Sequence, residues 1–196
     1  MRLAIRLFLA TSALAAGGAL LAAGPARAGD VTTLVNFNGG NGDSPAAGLT
    51  DVNGTLYGTT VGGGSVNEGT LFSYSASSGL QTLVSFTGGN GAFPYASLLD
   101  VGGTLYGTTT NGGSASAGTV FSYSATGGLK TLASFTGTGS NGANPVAGLT
   151  AVGSTLYGTT YQGGAGYGTL FSYSSASGGL QTLASFTRAT NSCDSR

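Results

Sequence analysis

The chain has no histidine and no tryptophan, a single cysteine and only four prolines among its 196 residues. Without histidine there are no Ser-His or Cys-His nucleophile pairs and no imidazole metal sites. The lone cysteine, Cys193, can form neither an internal disulfide nor a thiolate cage. Charge is equally scarce, with six Lys/Arg against six Asp/Glu. Three of the cations (Arg2, Arg6 and Arg27) fall within the first 28 residues, which leaves Lys130, Arg188 and Arg196 and a net charge of about −3 beyond them. No basic patch remains to neutralise phosphates, which argues against nucleic acid as a partner. No run beyond the N-terminal segment is long and apolar enough to span a bilayer.

That N-terminal segment, residues 1–28, has a charged start, an apolar stretch and a closing Ala26-Arg27-Ala28. Charged region, apolar region and small-x-small site are the layout of a secretory signal peptide. The mature chain is therefore expected to begin near Gly29 and to be exported to the periplasm, the cell surface or the medium.

What the sequence has in abundance is glycine, 38 residues of it, and repetition. "TLYGTT" occurs at Thr55, Thr104 and Thr155, and aligning on Tyr57, Tyr106 and Tyr157 gives periods of 49 and 51 residues. Three further blocks keep the same spacing. They are "GTLFSYS" from Gly69 ("GTVFSYS" from Gly118, "GTLFSYS" from Gly168), "GLQTLVSFT" from Gly79 with its counterparts from Gly128 and Gly179, and "NGDSPAAGL" from Asn41 with "NGAFPYASL" and "NGANPVAGL". Periods of this length belong to propellers, solenoids and arrays.

Each unit reads as four short strands. The segment after the proline is the first, "TLYGTT" the second, "TLFSYS" the third and "LQTLVSF" the fourth. Thr55, Tyr57 and Thr59 alternate onto one face, and Thr70, Phe72 and Tyr74 onto one face of the next strand. Glycine reaches positive φ without steric cost and suits the hairpins between them. Pro45, Pro94 and Pro145 stand just ahead of a strand, where a missing N–H matters least.

The expected fold is all-β, made of tandem four-stranded antiparallel units and propeller-like. The units span about 45–86, 94–135 and 145–186, inside a repeat domain at 29–187. "VTTLVNF" at 31–37 matches a fourth strand and predicts an orphan, for thirteen strands in all. Three blades fall short of the usual minimum of about four for ring closure, so a β-trefoil or β-prism is the alternative. Residues 188–196, "RATNSCDSR", break the pattern and are expected to be a non-repeat tail, a truncation or frame-shift scar of a longer array.

The joint pattern "NG-x-x-P…LYGTT-x-x-GG…GT-[LV]-F" resembles the GloVer-type tandem repeat of bacterial secreted proteins, the choice-of-anchor repeat proteins, from Val31 to Thr187. The resemblance implies export, repeated β structure and surface display, and it implies no particular activity.

Chemistry finds little footing. Asp51 and Asp100 align, but the third unit has Ala151, and Glu68 aligns with Ala117 and Tyr167. Paired carboxylates for glycoside hydrolysis, a calcium loop and a phosphate loop are all missing. Tyr57, Tyr106, Tyr157, Phe72, Phe121 and Phe171 recur in every unit and are expected to form the repeated core. The loops differ between units, which makes Tyr161 and Tyr167 the ligand-binding candidates. The sequence thus points to a non-enzymatic exported scaffold or interaction protein without cofactor, partnered by surface glycans or by other copies of itself. A lectin-like module is the alternative and an exported hydrolase a third.

Overall fold

A computed structural model describes residues 31–137, 141–176 and 179–188. Residues 1–28, expected to be a signal peptide, Cys193 and all of the tail except Arg188 lie outside the described residues. The chain divides into two units, Met1–Leu34 and Val35–Arg196, and every described strand lies in the second.

Three four-stranded antiparallel meanders follow one another, each with its strands in chain order. The first sheet holds β1 (Thr50–Val52), β2 (Thr55–Thr60), β3 (Thr70–Ser75) and β4 (Gly79–Ser85). The second holds β5 (Leu99–Val101), β6 (Thr104–Thr109), β7 (Thr119–Ser124) and β8 (Gly128–Ser134). The third holds β9 (Thr150–Val152), β10 (Thr155–Thr160), β11 (Thr169–Ser174) and β12 (Gly179–Ser185). Contacts run from β1 to β5 and from β5 to β9, so the short first strands lie side by side as the inner strands of propeller blades do.

Local chemistry sets these elements. Asn53 and Gly54 both take positive φ, 53° and 81°, as a two-residue hairpin between β1 and β2 requires. Asp51 Oδ1 accepts the Gly54 N–H at 2.8 Å, and Asp100 Oδ1 accepts the Gly103 N–H at 2.9 Å. The two aligned carboxylates thus serve their turns. Removing one by Asp51→Ala is expected to cost about 0.5–1.5 kcal/mol in a urea titration, the worth of one exposed turn hydrogen bond. Each fourth strand carries a bulge at one equivalent place, between Leu71/Phe72, Val120/Phe121 and Leu170/Phe171 on the partner strand, which leaves Leu83, Leu132 and Leu183 without a register partner.

The hexapeptide can be read residue by residue. Gly58, Gly107 and Gly158 stand directly opposite Phe72, Phe121 and Phe171 in the register. A Cβ on any of them would come within 2.5–2.6 Å of the ring Cζ, so the far end of the phenyl occupies the space a side chain would need. Leu105 and Leu156 are core. The final threonine builds a buried network: Thr109 Oγ1 donates to the Asn111 carbonyl at 2.9 Å, accepts the Thr119 N–H at 3.2 Å and lies 2.8 Å from Thr119 Oγ1. Thr109→Val keeps the volume and strands those partners. The expected loss is about 1–3 kcal/mol on chemical denaturation, the cost of unsatisfied buried polar groups.

One expected strand is absent. Residues 31–37 carry no strand, so the described strands number twelve and not thirteen. Each sheet already has its own fourth strand on the third, and an orphan needs an open third strand to pair with. Its last residue still finds the repeat position. Phe37 meets Phe72 edge-on at 5.1 Å, as Phe86 meets Phe121 at 5.3 Å and Phe135 meets Phe171 at 5.0 Å. The first strands are also shorter than the sequence suggests, three residues each, and after Pro94 and Pro145 the stretch ahead of the strand contacts the preceding sheet.

Candidate functional site

The junctions between sheets define what an end face of this fold wants. At the first junction Phe86 and Leu71 of the first sheet pack with Leu98, Leu105 and Phe121 of the second unit. At the second, Phe135 and Val120 pack with Leu149, Leu156 and Phe171. Backbone bonds lock both. The Phe93 N–H donates to the Glu68 carbonyl at 2.9 Å, and the Asn144 N–H to the Ala117 carbonyl at 2.8 Å. Thr59 and Thr108 donate across to the Pro94 and Ala147 carbonyls, at 3.3 and 3.4 Å. The prolines seat on glycine: Pro94 Cδ is 2.7 Å from where a Gly69 Cβ would stand, and Pro145 Cδ 2.8 Å from that of Gly118. Both glycines have φ near +100°, so backbone and space demand the same residue.

The third sheet repeats this outward face, and among the described residues no further sheet covers it. Phe186 is 48 % exposed where Phe86 and Phe135 are fully buried. Leu170 and Thr159 are half-buried where their equivalents are buried. Val152 and Leu183 are exposed as well. Tyr161 and Tyr167, the two candidates from the loops, lie on this face, 67 % and 54 % exposed. They line one cleft of about 760 Å³ together with Thr159, Gln162, Val146 and Phe186. The structure thus brings Tyr161 and Tyr167 together with Phe186 and Thr159, and the junction role of Leu71 and Val120 puts their equivalent Leu170 on the same face; sequence reasoning missed all three. Their signal was present as repeat positions, but only the junctions reveal that those positions face a neighbour.

The recurrent aromatics separate into two roles. Phe72, Phe121 and Phe171 are core. Tyr57, Tyr106 and Tyr157 are half-buried, and the first two line crevices between neighbouring sheets. The crevice of Tyr57 and Tyr123 holds about 40 Å³, and that of Tyr106 and Tyr173 about 490 Å³. Burial pushes the Tyr123 phenol up from its usual range, and the nearby Tyr57 phenol adds to the shift. Among the described residues no three His, Cys, Asp or Glu side chains gather where they could hold a metal ion. Glu68 has a buried Oε2 without a hydrogen-bond partner, close to Gly88.

Comparison with known proteins agrees with the repeat blocks. The family model described as the Gloeobacter/Verrucomicrobia repeat matches residues 12–195. The chain belongs to this family. No curated protein matches it. Among solved structures, this repeat protein is similar to a protein described as a 6-phosphogluconolactonase from Bacteroides uniformis ATCC 8492, at 17 % identity and TM-score 0.40, over 71 % of this chain and 39 % of that one. It is also similar to the tricorn protease, at 14 % identity and TM-score 0.34, over 68 % of this chain and 18 % of that one. In both cases this member of the repeat family spans well under half of the other chain.

Proposed function

We propose that this member of the Gloeobacter/Verrucomicrobia repeat family is an exported, non-enzymatic scaffold that works by binding protein surfaces. One observation carries the reading: residues common to all units are consumed by packing and turns, while the divergent Tyr161 and Tyr167 gather on an open apolar face. The carboxylates support it, since Asp51 and Asp100 each accept a turn N–H within their own hairpins. Export rests on the layout of residues 1–28. When the full chain is expressed in a Gram-negative host, the product is expected outside the cytoplasm with its N-terminus near Gly29. A cytoplasmic product that keeps Met1 would overturn the export part.

The carbohydrate-binding alternative uses the same cleft. Its lining sets Val146, Phe186 and four glycines beside Thr159, Thr160, Tyr161, Gln162 and Tyr167, and it holds no carboxylate or other charged group to fix the orientation of a sugar. A glycan array is therefore expected to show no reproducible binding. Sugar binding that disappears in both Tyr161→Ala and Tyr167→Ala would replace the scaffold by a lectin.

A further inference from the structure

The open face of the third sheet has a counterpart at the other end of the repeats. Within the chain, each outward face receives the proline segment and first strands of the following unit. The receiving residues are Leu71, Thr59, Gly69 and Phe86, then Val120, Thr108, Gly118 and Phe135. The inserted residues are Pro94 and Leu98, then Pro145 and Leu149, and all four are buried. The first unit carries the same inserting set on Pro45 and Leu49, and among the described residues no sheet precedes it to receive them. Pro45 is exposed, and Leu49 is 56 % exposed against 6 % for Leu98 and 7 % for Leu149. One end therefore presents an empty socket and the other an unused plug, both built from residues that fit each other twice within the same chain.

We infer that the outward face of the third sheet binds the Ser44–Leu49 entry face of a second copy of this chain, head to tail, and that two copies close on each other. Several observations select a second copy over an unrelated partner. The socket matches the two filled junctions in its apolar residues, in its glycine (Gly168, φ +91°) and in the Tyr167 carbonyl, the equivalent of the Glu68 and Ala117 acceptors. The plug retains the proline and leucine that those junctions bury. Charge does not oppose the contact: Ser44–Leu49 contains no ionisable side chain, with Asp43 and Asp51 flanking it, and no Asp, Glu, Lys or Arg lines the cleft. The docked copy also brings an aromatic ring, since its Phe37 already sits on Phe72 as Phe86 sits on Phe121. Phe186 of the receiving copy then yields that slot.

Stoichiometry follows from the fold. A head-to-tail contact makes either a closed ring or an open fibre. Two copies supply six sheets, inside the range of about four to eight that close as propellers, whereas three copies supply nine. The inference deepens the scaffold reading but does not depend on export, so a protein retained in the cytoplasm would still pair.

Sedimentation velocity of the purified chain tests it. The expected result is a species of twice the chain mass. Leu49→Asp places a charge in the plug and is expected to shift the protein to monomer with its far-UV circular dichroism unchanged. Tyr161→Arg does the same from the socket side and covers the case in which the first variant fails to fold. Mixing the two monomeric variants is expected to restore a pair, because the intact socket of one meets the intact plug of the other. Tyr95→Asp, at an exposed apolar position on neither end face, is expected to leave the dimer intact. A monomeric wild type, an open series of larger species, a Leu49→Asp dimer or a mixture that stays monomeric would each overturn the inference.

Discussion

Phe121→Ala is expected to remove about 3–5 kcal/mol of unfolding free energy, the cost of truncating a large aromatic in a core that collapses only partly. The ring is fully buried. One edge meets Phe86 across the junction at 5.3 Å, and the ring lies over Gly107 within its own sheet. Its loss therefore weakens the packing inside the second sheet and the contact with the first together. Against a total stability of about 5–15 kcal/mol for a domain, a loss of this size leaves a marginal protein. A urea titration followed by tyrosine fluorescence measures it. A loss below about 1 kcal/mol would mean that the junction contributes little and that each sheet stands by itself.

Gly107→Val is expected to cost about 3 kcal/mol or more, at the upper end of overpacking penalties. The reason is steric and not conformational, because Gly107 lies in an ordinary strand and is absent from the glycines with positive φ. Its added Cβ would stand 2.5 Å from Phe121 Cζ and 3.0 Å from Leu98 Cδ2, so the ring has to leave its seat. The two predictions are coupled, which gives a sharper test than either alone. In a Phe121→Ala background the space over residue 107 is open, and Gly107→Ala should cost at least about 1 kcal/mol less there than in the wild type. Additive effects in that double-mutant cycle would show that the glycine is not kept by the ring.

Most of the local architecture was legible in the sequence. Identical blocks at a fixed spacing gave the unit, alternation in "TLYGTT" and "TLFSYS" gave the middle strands, and Asn-Gly and Gly-Gly pairs gave the hairpins. These are properties of a few adjacent residues, so a few adjacent residues suffice to state them. The supposed strand at 31–37 shows the limit of the same logic. "VTTLVNF" has the composition of a fourth strand, but a strand exists only where another offers it hydrogen bonds, and each described sheet is already complete. Phe37 kept its repeat role because a ring needs only a surface, and Phe72 provides one.

The candidate site divides in the same way. Tyr161 and Tyr167 could be selected from sequence because they differ from Val61, Thr110, Glu68 and Ala117 at the matching places. Phe186 and Leu49 could not, since by sequence they are ordinary copies of buried residues. The sequence by itself determined the repeating unit, its strands and turns, and which residue types each unit would bury. Only the tertiary structure decided which copies are in fact buried. Burial belongs to a residue and its neighbour together, and the same phenylalanine is core when a following sheet covers it and an open surface when none does.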